Sequence, residues 1–270
     1  MSAEGPIAVF DSGVGGLTVL HECLVSLPSE SFLYLGDTGH FPYGTKSPEE
    51  LRERAEAITA YLIESGTKLL VVACNSATAA AGPLIHEMGE AAGIPVVTVI
   101  GPEAEIAAAI TENGRVGVLA TPATVASGAY RDALDAAGRP LTVTEVSAPD
   151  LASLIQVDLS FDDELIDAVR GHCAPLKEAG VDTLILGCTH YPLIAPAIQR
   201  ILGRDVRLVT AGHAIAGAIQ RQLAATGSLS TGEEEGDYRF LVTGDVDSFV
   251  EDGARFLQLP LANRVSAASV

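Results

Sequence analysis

Two cysteines stand in matched settings. Ala73-Cys74-Asn75-Ser76-Ala77-Thr78 follows four apolar residues and opens an Ala-rich stretch, so Cys74 is expected at a helix N-terminus. There the helix dipole and free backbone N–H groups favour the thiolate over the thiol. Gly187-Cys188-Thr189-His190-Tyr191-Pro192 repeats the pattern, with His190 two residues on and able to hold or exchange a proton with the sulfur. A single free cysteine at a strand end is usually a small buried hydrophobe, but two in matched settings point to thiolate chemistry. Cys23 and Cys173 lack the strand-Cys-polar-helix context and read as core residues.

Other cofactor chemistry fits these residues poorly. Cys-x-His supplies two nearby metal ligands, and no cysteine pair completes a tetrahedron. Pyridoxal chemistry needs a lysine beside a glycine-rich phosphate cup, and none of Lys46, Lys68 and Lys177 is so placed. No metal and no cofactor are expected.

Asp11-Ser12-Gly13-Val14-Gly15-Gly16 closes the first apolar run. A dinucleotide fingerprint would need glycine where Thr18 stands, and a P-loop would need Gly-Lys-Ser/Thr, so phosphate binding is a weak reading. Two readings stay open for Asp11: a carboxylate offered to a substrate ammonium beside a glycine turn, or a helix N-cap. Tyr43 and Gly44, in Pro42-Tyr43-Gly44, could turn backbone N–H groups toward a carboxylate or form an ordinary β-turn. Thr121 and Thr124 could donate hydroxyls to the same anion, although Thr before Pro also starts helices.

The elements that must carry these residues follow from hydrophobic spacing. Short Val/Ile/Leu-rich runs (7–10, 32–35, 69–73, 96–100, 116–119, 141–146, 183–186 and 206–209) alternate with stretches of helical period, the pattern of α/β folds with parallel sheets. Leu51, Ala55, Ile58 and Leu62 mark one buried helical stripe, with Pro48 in its first turn. The order of units repeats: Ile7-Ala-Val-Phe-Asp matches Val116-Gly-Val-Leu-Ala, and Leu70-Val-Val-Ala-Cys matches Leu184-Ile-Leu-Gly-Cys at a nearly equal offset. Two similar doubly wound domains are expected, 1–99 with 210–270 carrying Cys74, and 100–209 carrying Cys188. In such sheets ligands bind outside the carboxyl ends of strands, where each motif falls, so the two cysteines are expected at one cleft. Gly101-Pro102 reads as the crossing between domains, Thr231-Gly-Glu-Glu-Glu-Gly as a solvated loop, and Arg264 to Val270 as a frayed tail.

Bulk properties narrow the partners. A formal charge of -19 over 270 residues, with no Lys/Arg run, disfavours nucleic acid as a ligand. An anionic small molecule remains compatible, because helix N-termini bind carboxylates without net positive charge. Met1 to Pro6 is too short and polar for a signal peptide, and no apolar run approaches the ~20 residues of a membrane span, so no membrane association and a cytoplasmic location are expected. Four cysteines, none in Cys-x-x-Cys, are neither a disulfide framework nor a zinc ribbon.

Asp11-Ser-Gly-Val-Gly-Gly-Leu-Thr, Gly36-Asp-Thr, Pro42-Tyr-Gly, Cys74-Asn-Ser-Ala, Gly128-Ala-Tyr and Leu186-Gly-Cys-Thr-His-Tyr-Pro-Leu together resemble the ordered signature of the glutamate racemases. The likeness runs from residue 7 to about 200 and more loosely through Thr243-Gly-Asp to Leu257. It implies two α/β domains related by a pseudo-twofold axis, closing on free L- or D-glutamate, and it admits a homodimer. It further implies that Cys74 takes the proton from D-glutamate and Cys188 from L-glutamate, assisted by Asp11 and His190. Ser12, Tyr43, Gly44, Asn75, Ser76 and Thr189 match substrate-binding positions, and the product would supply bacterial peptidoglycan. One departure stands out: where the family usually carries Cys-Pro-x-x-Val-x-x-Val-Glu, this chain has Ala148-Pro-Asp-Leu-Ala-Ser-Leu-Ile-Gln156.

A Cα proton is far less acidic than a thiol of unperturbed pKa near ~8.5, so the carbanion must be stabilised. Donors around the α-carboxylate, from Asn75, Ser76, Thr189 and the two helix N-termini, could do this. Two other readings are carried forward: a racemase of the same design acting on aspartate or another amino acid, and an acidic protein that inhibits a nucleic-acid enzyme by imitating phosphate charge.

Overall fold

The computed structural model describes residues 5–232, 234–261 and 263–270. Residues 1–4 of the opening segment and Glu233 of the acidic loop lie outside the described residues, as does Ala262. Strand β1 (Ile7–Asp11) leads through helix α1 (Leu17–Ser26), β2 (Phe32–Gly36), α2 (Pro48–Glu64), β3 (Leu69–Val72) and α3 (Asn75–Ala92) to β4 (Val96–Thr98). Helix α4 (Ile100–Ile110) opens a second run of β5 (Arg115–Ala120), α5 (Pro122–Ser127), α6 (Ala129–Asp135), β6 (Thr142–Ser147), α7 (Leu151–Val157), α8 (Asp163–Glu178), β7 (Thr183–Gly187), α9 (Ala195–Leu202) and β8 (Arg207–Val209). Helix α10 (Ala211–Thr226) then returns to the first unit, which β9 (Tyr238–Val242), α11 (Val246–Leu257) and β10 (Val265–Ala267) extend.

The strands form two all-parallel sheets, ordered β10-β9-β2-β1-β3-β4 and β6-β5-β7-β8. The second order reproduces the β2-β1-β3-β4 core of the first, with β5 in the place of β1 and β7 in that of β3. This is the pairing that the repeated motifs imply. Strands β1, β2, β3 and β7 are buried along their whole length, because helices cover both faces, and hence they read as continuous apolar runs. Helix α2 starts at a Ser47/Glu50 capping box with Pro48 in its first turn, and buries Leu51, Ala55, Ile58 and Leu62. Among the described residues no helix is long and apolar enough to cross a membrane.

Gly101-Pro102, expected at the crossing, lies in the first turn of α4, between the last strand of the first run and the first strand of the second, where proline needs no N–H donor. One expectation is corrected. The segment 264–270 is not a frayed tail: β10 pairs in parallel with β9, Ala268 N donates to Val242 O at 2.8 Å, and Arg54 Nη1 donates to Val270 O at 3.0 Å. The sheet edge offered by β9 supplies the partners, and that edge is not visible in the local pattern of Val-Ser-Ala.

Candidate active site

Cys74 lies two residues beyond β3 and is the N-cap of α3, its Sγ accepting from Ala77 N at 3.4 Å. Cys188 directly follows β7, but no α-helix starts on it. Tyr191 N bonds to Cys188 O at 3.1 Å, opening a 3-10 turn (Tyr191–Ile194) that precedes α9. The expected second helix N-terminus is therefore replaced by a tighter turn, in which the carbonyl rather than the sulfur of Cys188 takes the first bond.

Both sulfurs border one cleft between the two sheets. Ser12, Tyr43, Gly44, Asn75, Ser76, Thr121, Thr189 and His190 line it with them. Asp11 and Thr124 are fully buried behind this wall. Among the described residues no lysine or arginine lines the cleft, so an anion within it would meet neutral donors. Sequence reasoning overlooked Phe41, Ala152 and Ser153 in the lining. Phe41 and Phe256 flank the His190 ring at centroid distances of 5.5 and 5.1 Å, and nothing local marks them for this contact. Among the described residues no three His, Cys, Asp or Glu side chains converge as metal ligands would.

The two halves meet through short side chains. Thr189 Oγ1 donates to Asp11 Oδ1 at 3.3 Å, and Thr18 Oγ1 donates to Thr189 O at 3.0 Å. The Ser76 hydroxyl lies 2.9 Å from that of Thr121 and 3.3 Å from that of Thr124, while Thr121 caps α5. A Cβ at Gly44 would stand 2.7 Å from the Thr121 Cβ, and one at Gly15 would collide with the Thr189 hydroxyl and the His190 ring, so these glycines permit the approach. Asp11 is not the N-cap of α1, a place held by Gly16; it accepts from Gly13 N at 3.1 Å. Asn75 does not present a free amide group: Nδ2 donates to Glu103 Oε2 at 3.2 Å and to Tyr130 OH at 2.8 Å.

The loop holding Tyr43 and Gly44 is a 3-10 turn anchored from behind. Tyr43 OH donates to Asp37 Oδ2 at 2.5 Å, and Asp37 also accepts from Arg54 Nε at 3.0 Å, Arg54 Nη2 at 2.9 Å and Thr243 Oγ1 at 2.6 Å. Burial opposes ionisation of Asp37, yet the Arg54 fork, Thr243, Tyr43 and His40, whose Nδ1 lies 2.9 Å from Oδ1, hold its carboxyl below the usual range.

Burial dominates elsewhere in the site. It pushes the Cys74 thiol up to about 12, with Asp11 adding to the rise and the Ala77 N–H opposing it. Cys188 is raised further, again chiefly by desolvation. The expected helix-dipole stabilisation of thiolate is thus outweighed, because the dipole contributes only partial charge while desolvation acts on a whole one. Desolvation likewise raises Asp11 and lowers His190 to about 3, so the imidazole is neutral.

The Asp/Glu/Hydantoin racemase family model matches residues 19–219. The chain is 44% identical over 253 residues to a protein of Acidothermus cellulolyticus called glutamate racemase, covering 93% of this chain and 95% of that one. Its fold is similar to the crystal structure of a Bacillus anthracis glutamate racemase isoform, with TM-score 0.94 and 36% identity over 99% of this chain and 98% of the other. It is also similar to the Francisella tularensis glutamate racemase solved with D-glutamate, with TM-score 0.92 and 31% identity at 99% and 98% coverage.

Proposed function

The chain belongs to the Asp/Glu/hydantoin racemase family, and from that membership we propose that it interconverts L- and D-glutamate by passing Cα protons between opposed thiols of Cys74 and Cys188. The observation that carries this reading is a single cleft lined by both sulfurs, one from each sheet, with neutral donors around them. As a racemase the enzyme is an isomerase, and D-glutamate made in the cytoplasm would feed bacterial peptidoglycan.

In the L-to-D direction Cys188 thiolate removes the Cα proton and the Cys74 thiol delivers its own to the opposite face. One thiol and one thiolate exchange roles, so protons balance over the turnover. The raised thiols mean that thiolate is scarce before substrate binds. An incoming ammonium offsets part of its desolvation, and a thiolate formed in a dry site is a correspondingly stronger base for a carbon acid. Hydroxyls of Ser12, Ser76 and Thr121, with the backbone at Thr189 and at the Tyr43-Gly44 turn, would hold the carboxylates as charge moves onto the enediolate. Asp11 backs Cys74, and His190 faces Cys188 with Nδ1 at 3.9 Å from Sγ.

Purified chain assayed without added cofactor against glutamate, aspartate and other amino acids tests the proposal. Racemisation should be greatest for glutamate. A preparation that racemises aspartate and not glutamate would reassign the substrate, and one inactive on every amino acid would overturn the reaction.

A further inference from the structure

Glu103 has no part in the reaction as drawn, yet its carboxyl meets one side chain from beside each cysteine. It lies in the first turn of the crossing helix α4 and is wholly buried. Oε2 accepts from Asn75 Nδ2 at 3.2 Å and from Tyr130 OH at 2.5 Å, while Oε1 has no partner among the described residues. Asn75 and Tyr130 are its hydrogen-bond partners, and neither is a cation; burial pushes its carboxyl up to about 8. A buried carboxyl lacking a counter-charge costs stability, so its presence calls for a task.

The geometry shows what that task is. Asn75 opens α3 beside Cys74 and lines the cleft. Tyr130, on α6, lies under the residue before Cys188: a Cβ at Gly187 would stand 2.9 Å from Tyr130 Cε2. The Tyr130 hydroxyl donates to Glu103 Oε2, so its oxygen is left to accept from Asn75, and Glu103 Oε2 accepts from both Tyr130 and Asn75. Only Nδ2 fits between them. The amide is thereby fixed in one orientation, with Oδ1 left as its unpartnered acceptor.

We propose that Glu103 is a positioning residue for racemisation, which through Tyr130 and the Asn75 amide holds the Cys74 side of the cleft wall in register with the Cys188 side. The inference rests on the reaction proposed above. Glutamate carboxylates and ammonium are placed by contacts of this wall, so loosening it falls on substrate binding before it falls on the chemical step.

Steady-state kinetics in both directions for wild type, Glu103→Ala and Glu103→Gln test this. Removing the acceptor in Glu103→Ala should raise KM for both enantiomers about tenfold, with a smaller change in kcat. Glu103→Gln keeps an acceptor oxygen and should restore KM to within about threefold of wild type. Where Glu103→Ala does not fold, Glu103→Asp serves, since its shorter side chain withdraws the oxygen from Asn75 and should raise KM about fivefold. Unchanged KM in a folded Ala or Asp variant overturns the assignment, as does a Gln variant no better than Ala. Active wild type with these outcomes sinks only the role of Glu103, whereas wild type inactive on glutamate sinks the proposed reaction and this inference with it.

Discussion

His190 Nε2 lies 3.0 Å from Gln156 Oε1, while Nδ1 of the same ring faces Cys188 Sγ at 3.9 Å. An amide oxygen only accepts, so Nε2 carries the ring proton and Nδ1 turns a lone pair toward the thiol. The backbone carbonyl of Gln156 accepts from Arg255 Nη2 at 2.8 Å, which ties the end of α7 to α11. Neutral Gln156 thus sets the tautomer of His190 without stabilising an imidazolium, as a glutamate there would.

Replacing Gln156 by Glu should therefore raise the His190 pKa while leaving the fold intact, because a carboxylate beside a buried ring favours its charged form. The imidazole resonances should then titrate between about pH 5 and 8, and kcat/KM for glutamate should change by less than about tenfold. Silence of the ring over that range would contradict the account of Gln156. Glutamate activity confined to the variant would show that the natural substrate is another amino acid.

Stability against acid should follow His190. Its folded pKa, about 3, is depressed by burial below the usual 6.5, so the unfolded chain takes up a proton that the folded chain refuses. The stabilisation is present above pH 6.5 and is lost as pH falls toward 3. Melting temperatures of wild type and His190→Gln, compared across that interval, should show the shallower acid dependence in the variant. Parallel curves would mean that the ring is not held neutral.

The anchoring of the Tyr43-Gly44 turn predicts a distal effect. Asp37→Asn removes the charge that pairs with Arg54 and turns one acceptor oxygen into a donor NH2, so it should destabilise the protein by about 2 kcal/mol, less than the loss of a fully buried pair because Arg54 is partly exposed. KM should rise about tenfold, since the turn would no longer be held to substrate geometry. An Asp37→Asn enzyme with wild-type melting and KM would remove the network from any role in the site.

The fate of the proton tests the thiols themselves. Product formed in D2O should carry deuterium at Cα from the first turnovers, while unreacted substrate stays mostly protium, because the two faces are served by different sulfurs. A single base swinging between faces would instead carry some original proton into product. Cys74→Ala and Cys188→Ala should each lower racemisation by at least ~10²-fold. Near-normal turnover by either would remove that sulfur from the mechanism.

The alternation of apolar runs with helical stretches was legible residue by residue, because strands covered on both faces must be apolar throughout and helices must carry a stripe. The motifs at the ends of β1, β3, β5 and β7 were legible for the same reason: strand ends are where polar residues first become affordable. What hid from the sequence was decided by distant chain. Val265–Ala267 becomes a strand only because β9 offers an edge, and Glu103 looks like an ordinary first-turn acid until Asn75 and Tyr130 close over it. The thiols show the same division most plainly. A local reading puts Cys74 at a helix N-terminus and so favours its thiolate, and the N-cap is there. Yet its proton affinity is raised, since a dipole is a property of a neighbouring helix while desolvation depends on everything the folded chain brings around the sulfur.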